Sequence, residues 1–128
     1  MNYEFYAPFP PSDNNYYVQT RNGKFISPKG KKFRADMELA ILQQLPDVRI
    51  DHTVLVEVVL YMPDRRVRDV ANYMKALMDA ISKADLWVDD VLIDQLFIYR
   101  GVVAKDNAHT FLRITDAGPK IPLGMTDF

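Results

Sequence analysis

The chain has 128 residues, of which 48% are hydrophobic and 26% are charged, and its formal net charge is −1. This composition predicts one globular domain spanning residues 1–128 rather than a disordered chain. The lack of cysteine excludes disulfides, thiolate nucleophiles and cysteine-ligated zinc, and no apolar run reaches membrane-spanning length. We therefore expect a soluble cytoplasmic protein without a membrane partner.

The near-zero net charge argues weakly against a dedicated nucleic-acid-binding protein, but the charges are clustered along the chain. The basic clusters are Lys24, Lys29, Lys31, Lys32, Arg34 and Arg65, Arg66, Arg68, and the acidic cluster is Asp69, Asp79, Asp89, Asp90, Asp94. A metal ion bound to the acids would offset their charge and leave the bases facing a phosphodiester. Net charge therefore neither supports nor excludes a nucleic-acid-binding protein.

The first part of the chain predicts a strand, a loop and a helix. Residues 3–9 are aromatic-rich and end at two prolines, which is typical of a strand. Residues 12–30 are polar and predict a surface loop, in which Asn22-Gly23 marks the turn of a small hairpin. Ser27 and Pro28 then predict the start of a helix that ends at Pro46.

The second part of the chain predicts strands around another helix. Residues 53–61 are rich in Val and Leu, so we expect a strand buried on both faces. A helix follows over residues 69–84, and residues 91–103 and 110–115 predict two further strands. The order β-α-β-α-β-β predicts a single α+β domain with two helices on a small mixed sheet.

Polar residues of the second helix point to metal-dependent chemistry. At 100° per residue, Asn72, Lys75 and Asp79 share one sector of the helix, away from its apolar stripe. Asp69 lies at the helix start, and the Asp89-Asp90 pair follows the helix. Carboxylate oxygens are the ligands that Mg²⁺ and Mn²⁺ prefer, and the neighbouring bases suit a phosphodiester substrate.

Each of these residues also has a purely structural interpretation. Asp69 suits a helix cap, Lys75 and Asp79 are spaced for a surface ion pair, and adjacent aspartates are common in turns. Spacing alone leaves both interpretations open.

The segment from Met62 to Asn72 resembles the signature of the RusA family of Holliday-junction resolvases, in which a strand ends in a proline-aspartate-arginine turn. The resemblance extends through most of the chain. The further matching residues are Pro10, Pro11, Ser12, Asn14, Asn15, Tyr16, Tyr17, Lys75, Asp79, Ala80, Ala84, Trp87, Asp89 and Asp90.

The resemblance implies a homodimeric endonuclease that binds branched DNA, nicks four-way junctions symmetrically with Mg²⁺, and serves recombination and repair in a phage or prophage setting. Asp69 and Asp90 would be catalytic metal ligands, and Lys75 would assist catalysis. Asn72, Asp79 and Asp89 would support the site. The DNA-binding candidates are Arg65, Arg66, Arg68, Lys29, Lys31, Lys32, Asn14, Tyr16 and Tyr17.

Ala71 departs from the family pattern, which has an aspartate at this position. A methyl group cannot bind a metal, so we expect a weakly active or inactive chain. One explanation is a deliberate change of aspartate to alanine, which we favour because the neighbouring motif positions are kept. The other is a natural divergent homologue that binds junctions but cleaves poorly, or that recruits Asp94 or Asp89 instead. Two other functions remain open, namely a non-catalytic junction-binding module and a plain α+β dimer whose acidic cluster is structural.

Overall fold

The computed structural model describes residues 1–124, so the predicted domain end at residue 128 lies outside it. The strands are β1 (Asn2–Pro8), β2 (Tyr17–Thr20), β3 (Gly23–Ile26), β4 (Val54–Tyr61), β5 (Ile93–Arg100) and β6 (His109–Asp116). The α-helices are α1 (Asp13–Tyr16), α2 (Pro28–Gln44) and α3 (Met74–Lys83), and 3-10 helices at Val70–Tyr73 and Asp90–Leu92 precede α3 and β5. None of the helices within residues 1–124 has both the length and the hydropathy needed to cross a bilayer.

A mixed four-stranded sheet in the order β1-β6-β4-β5 forms the centre of the molecule. β4 is parallel to β5 and antiparallel to β6, and β6 is antiparallel to β1. Parallel neighbours need a crossover connection, and α3 provides it between β4 and β5. The long helices α2 and α3 pack against each other, which confirms the predicted α+β class.

β4 alternates between buried and half-buried residues. Val56, Val58 and Leu60 lie in the core under the helices, whereas Glu57 and Tyr61 point to the other face of the sheet. The prediction that this strand is buried on both faces is therefore wrong. Its Val-rich sequence resembles a doubly covered strand, but the helices of this domain cover only one face.

Helix α2 begins as the sequence predicts. The Ser27 hydroxyl accepts a hydrogen bond from the Gly30 amide at 3.0 Å, and Pro28 occupies the first turn. The helix ends at Gln44, two residues before Pro46, because proline disfavours helical backbone in the residue that precedes it.

The second predicted helix begins later than the sequence indicates. Asp69 accepts a hydrogen bond from the Ala71 amide at 3.0 Å, but it caps the 3-10 helix Val70–Tyr73 rather than α3. The start of α3 is held from a distant part of the chain, since Asp13 accepts a hydrogen bond from the Ala76 amide at 2.9 Å. This contact joins α1 to α3.

The polar segment between β1 and α2 is more ordered than a surface loop. It contains α1 and the predicted hairpin, in which Gly23 has a φ of 120° at the turn. Tyr16 is fully buried at the end of α1. The expectation of a surface loop is therefore wrong for α1 and right for the exposed hairpin.

Candidate active site

An open pocket of about 480 Å³ lies between the first half of α3 and the start of β5. This volume is within the range of roughly 300–1,000 Å³ that is typical of ligand sites. Its polar lining residues are Lys75, Asp79, Asp90 and Asp94, and its apolar and aromatic lining residues are Tyr17, Met74, Met78, Ile93 and Leu96. Three carboxylates and one ammonium group thus face one space, which makes this pocket the candidate active site.

Asp89 and Asp90 behave as an interacting pair at the rim of this pocket. Asp89 accepts a hydrogen bond from the Val91 amide at 3.0 Å, which lowers the pKa of Asp89. The pKa of Asp90 is raised, first by its hydrogen bond with the Asp89 carboxyl group and then by partial burial and the charges of Asp89 and Asp79. A cation bound at this place would relieve the repulsion among these carboxylates.

Asp79 is fixed by a network that joins three elements. The Tyr16 hydroxyl donates to Asp79 Oδ2 at 2.5 Å, and Arg34 donates to the same oxygen through Nη2 at 2.8 Å and Nε at 3.2 Å. Arg34 Nε also donates to the Tyr16 hydroxyl at 2.7 Å. Burial, followed by the hydrogen bond to Asp79, raises the pKa of Tyr16 far above its usual value, so Tyr16 stays protonated as a donor.

This network corrects one sequence prediction and adds a residue that the sequence did not indicate. Tyr16 is buried against Asp79 and Arg34, so its side chain has no surface left for the predicted DNA contact. In the sequence, Arg34 is one residue of a basic run. Its partners are 18 and 45 positions away in the sequence, and no local spacing rule relates residues at such separations.

The 3-10 helix before α3 carries the remaining motif residues. Three of them are exposed, namely Asp69, Ala71 and Asn72. Within residues 1–124, Asp69 is not one of the residues that line the pocket of Asp90. Within the same residues no three carboxylate or imidazole groups lie close enough to share one metal ion. The pairing of Asp69 with Asp90 around a metal ion therefore stays a prediction.

The carboxylates at this site are chemically suited to a divalent metal ion, but there are fewer of them than the family motif predicts. Carboxylate oxygens are hard ligands that suit Mg²⁺, and Asp90 and Asp94 offer them at the pocket. Asp94 also lies 3.5 Å from Lys120 Nζ. Ala71, at the position of the expected aspartate, contributes no oxygen ligand.

The arginine-rich loop before this 3-10 helix divides into two kinds of residue. Arg65 and Arg66 are exposed. Arg68 instead forms a bidentate ion pair with Asp64, at 2.5 and 3.1 Å, and this pairing lowers the pKa of Asp64 to about 2. Arg100 on β5 also donates to the Arg68 carbonyl oxygen. The structure thus gives Arg68 a role in holding the loop, while the two exposed arginines face solvent.

The other predicted DNA contacts lie around the start of α2. Lys29, Lys31 and Asn14 are exposed, and Lys32 is exposed but lies 2.6 Å from Asp36. Tyr17 is half-buried and lines the candidate active site. The structure therefore brings Tyr17 next to the acidic pocket and leaves the lysines on the surface.

The fold and this pocket define a small α+β protein that carries an acid-lined cleft between α3 and β5, with exposed arginines and lysines elsewhere on its surface. The family model described as "Endodeoxyribonuclease RusA" matches residues 8–115, which is most of the chain. The chain therefore belongs to the RusA family, as its motifs predicted.

Curated relatives agree with this assignment. The chain is 34% identical over 116 residues to the crossover junction endodeoxyribonuclease RusA of Shigella sonnei (strain Ss046), which covers 91% of this chain and 96% of the relative. Identity is 33% to the protein of that name from Escherichia coli (strain K12) and 34% to that from Enterobacteria phage 82, with the same coverage. The similarity thus extends over nearly the whole length of these relatives.

Proposed function

We propose that this chain is a structure-specific DNA endonuclease that binds four-way (Holliday) junctions and nicks them symmetrically by metal-dependent phosphodiester hydrolysis. The observation that carries the proposal is the pocket in which Lys75 lies with Asp79, Asp90 and Asp94, inside the family match over residues 8–115. Relatives with that name act on crossover junctions. A polar cleft of this kind is what metal-assisted hydrolysis of a phosphodiester requires.

The proposed metal is Mg²⁺, for which Mn²⁺ would substitute, with Asp90 and Asp69 as ligands. A bound divalent ion would activate water and stabilise charge on the leaving oxygen. Lys75 is proposed to orient the scissile phosphate, since its exposed ammonium group lies at the same pocket. Asn72, Asp79 and Asp89 are proposed as supporting residues.

The exposed cations are proposed to hold the DNA. Arg65 and Arg66 project from the loop before the 3-10 helix, and Lys29, Lys31 and Lys32 project from the start of α2 together with Asn14 nearby. Contacts of this kind to phosphates position the duplex without reading its sequence.

Ala71 is proposed to impair catalysis, because it replaces a carboxylate of the motif with a methyl group. The test is cleavage of a fixed four-way junction with Mg²⁺ by this chain, by Ala71→Asp and by Ala71→Asn. We expect Ala71→Asp to raise the nicking rate on the order of 100-fold, because a restored oxygen ligand strengthens metal binding. Ala71→Asn has nearly the same shape without the charge, and we expect it to remain slow.

Two outcomes would contradict this function. Rapid junction cleavage by the unaltered chain would show that Ala71 is not limiting. Junction binding without cleavage by Ala71→Asp would favour the alternative, a non-catalytic module for branched DNA. A plain structural dimer would show no preference for branched over linear DNA at moderate salt, where non-specific binding fades.

We also propose that the protein is a homodimer, because two symmetric incisions require two active sites related by a two-fold axis. The open face of the four-stranded sheet, opposite the helices, supports this proposal. One row of residues crosses all four strands on this face, namely Tyr6, Phe111, Val59 and Tyr99. Tyr6 and Tyr99 are 57% and 47% exposed, so an aromatic surface is available for a second copy.

The proposed setting is the cytoplasm of a bacterial host, where a phage or prophage nuclease would meet recombining DNA. The support is that the relatives come from enterobacteria and from a phage that infects them. A role in recombination and repair follows from the proposed substrate.

A further inference from the structure

Positive charge is concentrated in one continuous part of this nearly neutral chain. Residues 14–35 contain six basic residues and no acidic one, whereas the remainder has ten basic and seventeen acidic residues and so carries a charge of −7. The basic residues are Arg21, Lys24, Lys29, Lys31, Lys32 and Arg34. Such segregation favours a polyanionic partner for this segment rather than a uniformly solvated surface.

The hairpin formed by β2 and β3, residues 17–26, carries two of these basic residues. It forms a separate two-stranded sheet that is not hydrogen-bonded to the central sheet. Arg21 lies in its two-residue turn, Lys24 is the second residue of β3, and both are exposed. Val18 and Phe25 are cross-strand partners and are 42% and 51% exposed, so one face of the hairpin is apolar and open.

The base of this hairpin is fixed beside the candidate active site. Tyr17 is the first residue of β2 and also lines the pocket that contains Asp90. Its ring packs edge-on against buried Tyr16 at a centroid distance of 4.8 Å, and Lys24 Nζ lies 4.5 Å from its centroid. A duplex bound with its scissile phosphate at the pocket would therefore have the hairpin as its neighbour.

We propose that the hairpin of residues 17–26 is a DNA-binding arm that grips the duplex arm next to the cleavage site. Arg21 and Lys24 contact phosphates, and the apolar pair Val18 and Phe25 packs against the wall of a groove. A two-stranded β-ribbon has the size to enter a major groove, and each cation that neutralises a phosphate releases counterions. This inference rests on the proposed function, since it takes the pocket as the cleavage site.

The hairpin's partner is inferred from charge and not from its apolar face alone. An apolar pair between two strands could also dock on a second copy of the chain. Arg21 and Lys24 on the same hairpin, with no acid among residues 14–35, complement DNA phosphates better than they complement a mixed protein surface. The experiment below separates the two partners.

The test measures binding of the unaltered chain to a fixed four-way junction, without Mg²⁺, over a series of NaCl concentrations. The logarithm of the binding constant falls as the logarithm of the salt concentration rises. We expect the double variant Arg21→Gln with Lys24→Gln to make this slope shallower by about 2, because each phosphate contact contributes about 0.9 to its magnitude. We expect affinity to fall about tenfold near physiological salt. Phe25→Ser should weaken binding without changing the slope, since it removes no charge.

The matched control is Arg49→Gln with Lys83→Gln, which removes the same charge from exposed positions outside the basic segment. If the hairpin variant and this control change the salt slope equally, the proposed DNA-binding arm is contradicted, because binding then depends only on the net charge of the chain. If the hairpin variant leaves the slope intact but weakens self-association in analytical ultracentrifugation, the hairpin binds a second copy and the proposal is equally overturned. Circular dichroism of each variant verifies that it is folded.

Failure of this inference is distinguishable from failure of the proposed function. If neither the unaltered chain nor Ala71→Asp binds branched DNA in preference to linear DNA, the proposed function fails and the arm fails with it. If both bind junctions and the hairpin variant binds as well as the control, only the arm is wrong.

Discussion

The Tyr16 hydroxyl lies between two charged groups, since it donates to Asp79 and accepts from Arg34. Tyr16→Phe removes both hydrogen bonds and keeps the ring in the core. We expect the free energy of unfolding to fall by about 1–3 kcal/mol, because hydrogen bonds to charged groups contribute about that much. Urea denaturation measures the change.

Tyr99→Phe is the control for that prediction, since it removes a hydroxyl from a side chain that is 47% exposed. We expect it to change stability by less than about 0.5 kcal/mol, as is usual for surface substitutions. Equal effects of the two changes would mean that the network around Asp79 adds no stability.

The ion pair between Asp64 and Arg68 makes the stability of the arginine-rich loop depend on pH. The pKa of Asp64 is lowered to about 2, first by the Arg68 side chain and then by the Arg66 amide. A carboxyl whose pKa is lower in the folded protein stabilises it above the unfolded pKa, and this contribution is lost as pH falls through the folded pKa. The relevant window therefore runs from about pH 4 down to about pH 2.

Asp64→Asn is expected to destabilise the protein near pH 7, and the difference from the unaltered chain should shrink as pH falls through that window. Urea denaturation at several pH values measures it. Because the Asp64 side chain is 43% accessible to solvent, added salt should weaken the effect at neutral pH. A difference that stays constant from pH 7 to pH 3 would show that the pair acts through packing rather than charge.

Helix α2 is joined to the rest of the molecule at a glycine where a side chain would not fit. A Cβ atom on Gly30 would lie 2.5 Å from the Tyr16 carbonyl oxygen and 2.7 Å from the Ile26 side chain. Gly30→Ala improves helix propensity by about 1 kcal/mol, but it forces backbone apart at α1. We expect net destabilisation of about 1–3 kcal/mol in thermal or urea unfolding, since overpacking usually outweighs propensity.

Lys31→Ala, at the next position of the same helix, is the control for that prediction because Lys31 is exposed. We expect it to leave stability within about 0.5 kcal/mol. If Gly30→Ala instead stabilises the protein, the close approach of α1 to α2 is not rigid.

Elements were predictable where the chain carries its own stop and start signals. Ser27 with Pro28 specified the start of α2, and Asn22-Gly23 indicated the hairpin to within one residue of its turn at Arg21-Asn22, because caps and turns depend on neighbouring residues. The predicted start of α3 is wrong, because Asp69 caps a 3-10 helix and the Ala76 amide of α3 donates instead to Asp13, 63 residues earlier in the sequence. A hydrogen-bond acceptor so far away along the chain cannot be recognised from the residues around the helix start.

The whole molecule has one sheet face covered by helices and one face that is open. If the open face joins two copies, Tyr99→Glu should convert the dimer to a monomer, because it places a charge in an aromatic surface that association would dehydrate. Analytical ultracentrifugation across a concentration series measures the change. Junction cleavage by the Ala71→Asp form should lose its paired character, leaving single nicks.

Leu42→Glu is the control for the dimer prediction, since Leu42 is an exposed apolar residue on α2 rather than on the sheet. It should leave the dimer intact. A dimer that survives Tyr99→Glu, or an unaltered chain that is monomeric at all concentrations, would contradict this use of the open face.

The sequence by itself determined the α+β class, the family and the residue types of the site, because hydrophobic period, turn residues and motif spacing are local properties. Only the tertiary structure decided which of those residues meet. It placed Asp90 and Asp94 with Lys75 and Asp79, left Asp69 out of the residues that line that pocket, and buried Tyr16 against Arg34. Contacts between residues many positions apart depend on how the elements pack, and a linear pattern carries no such distances.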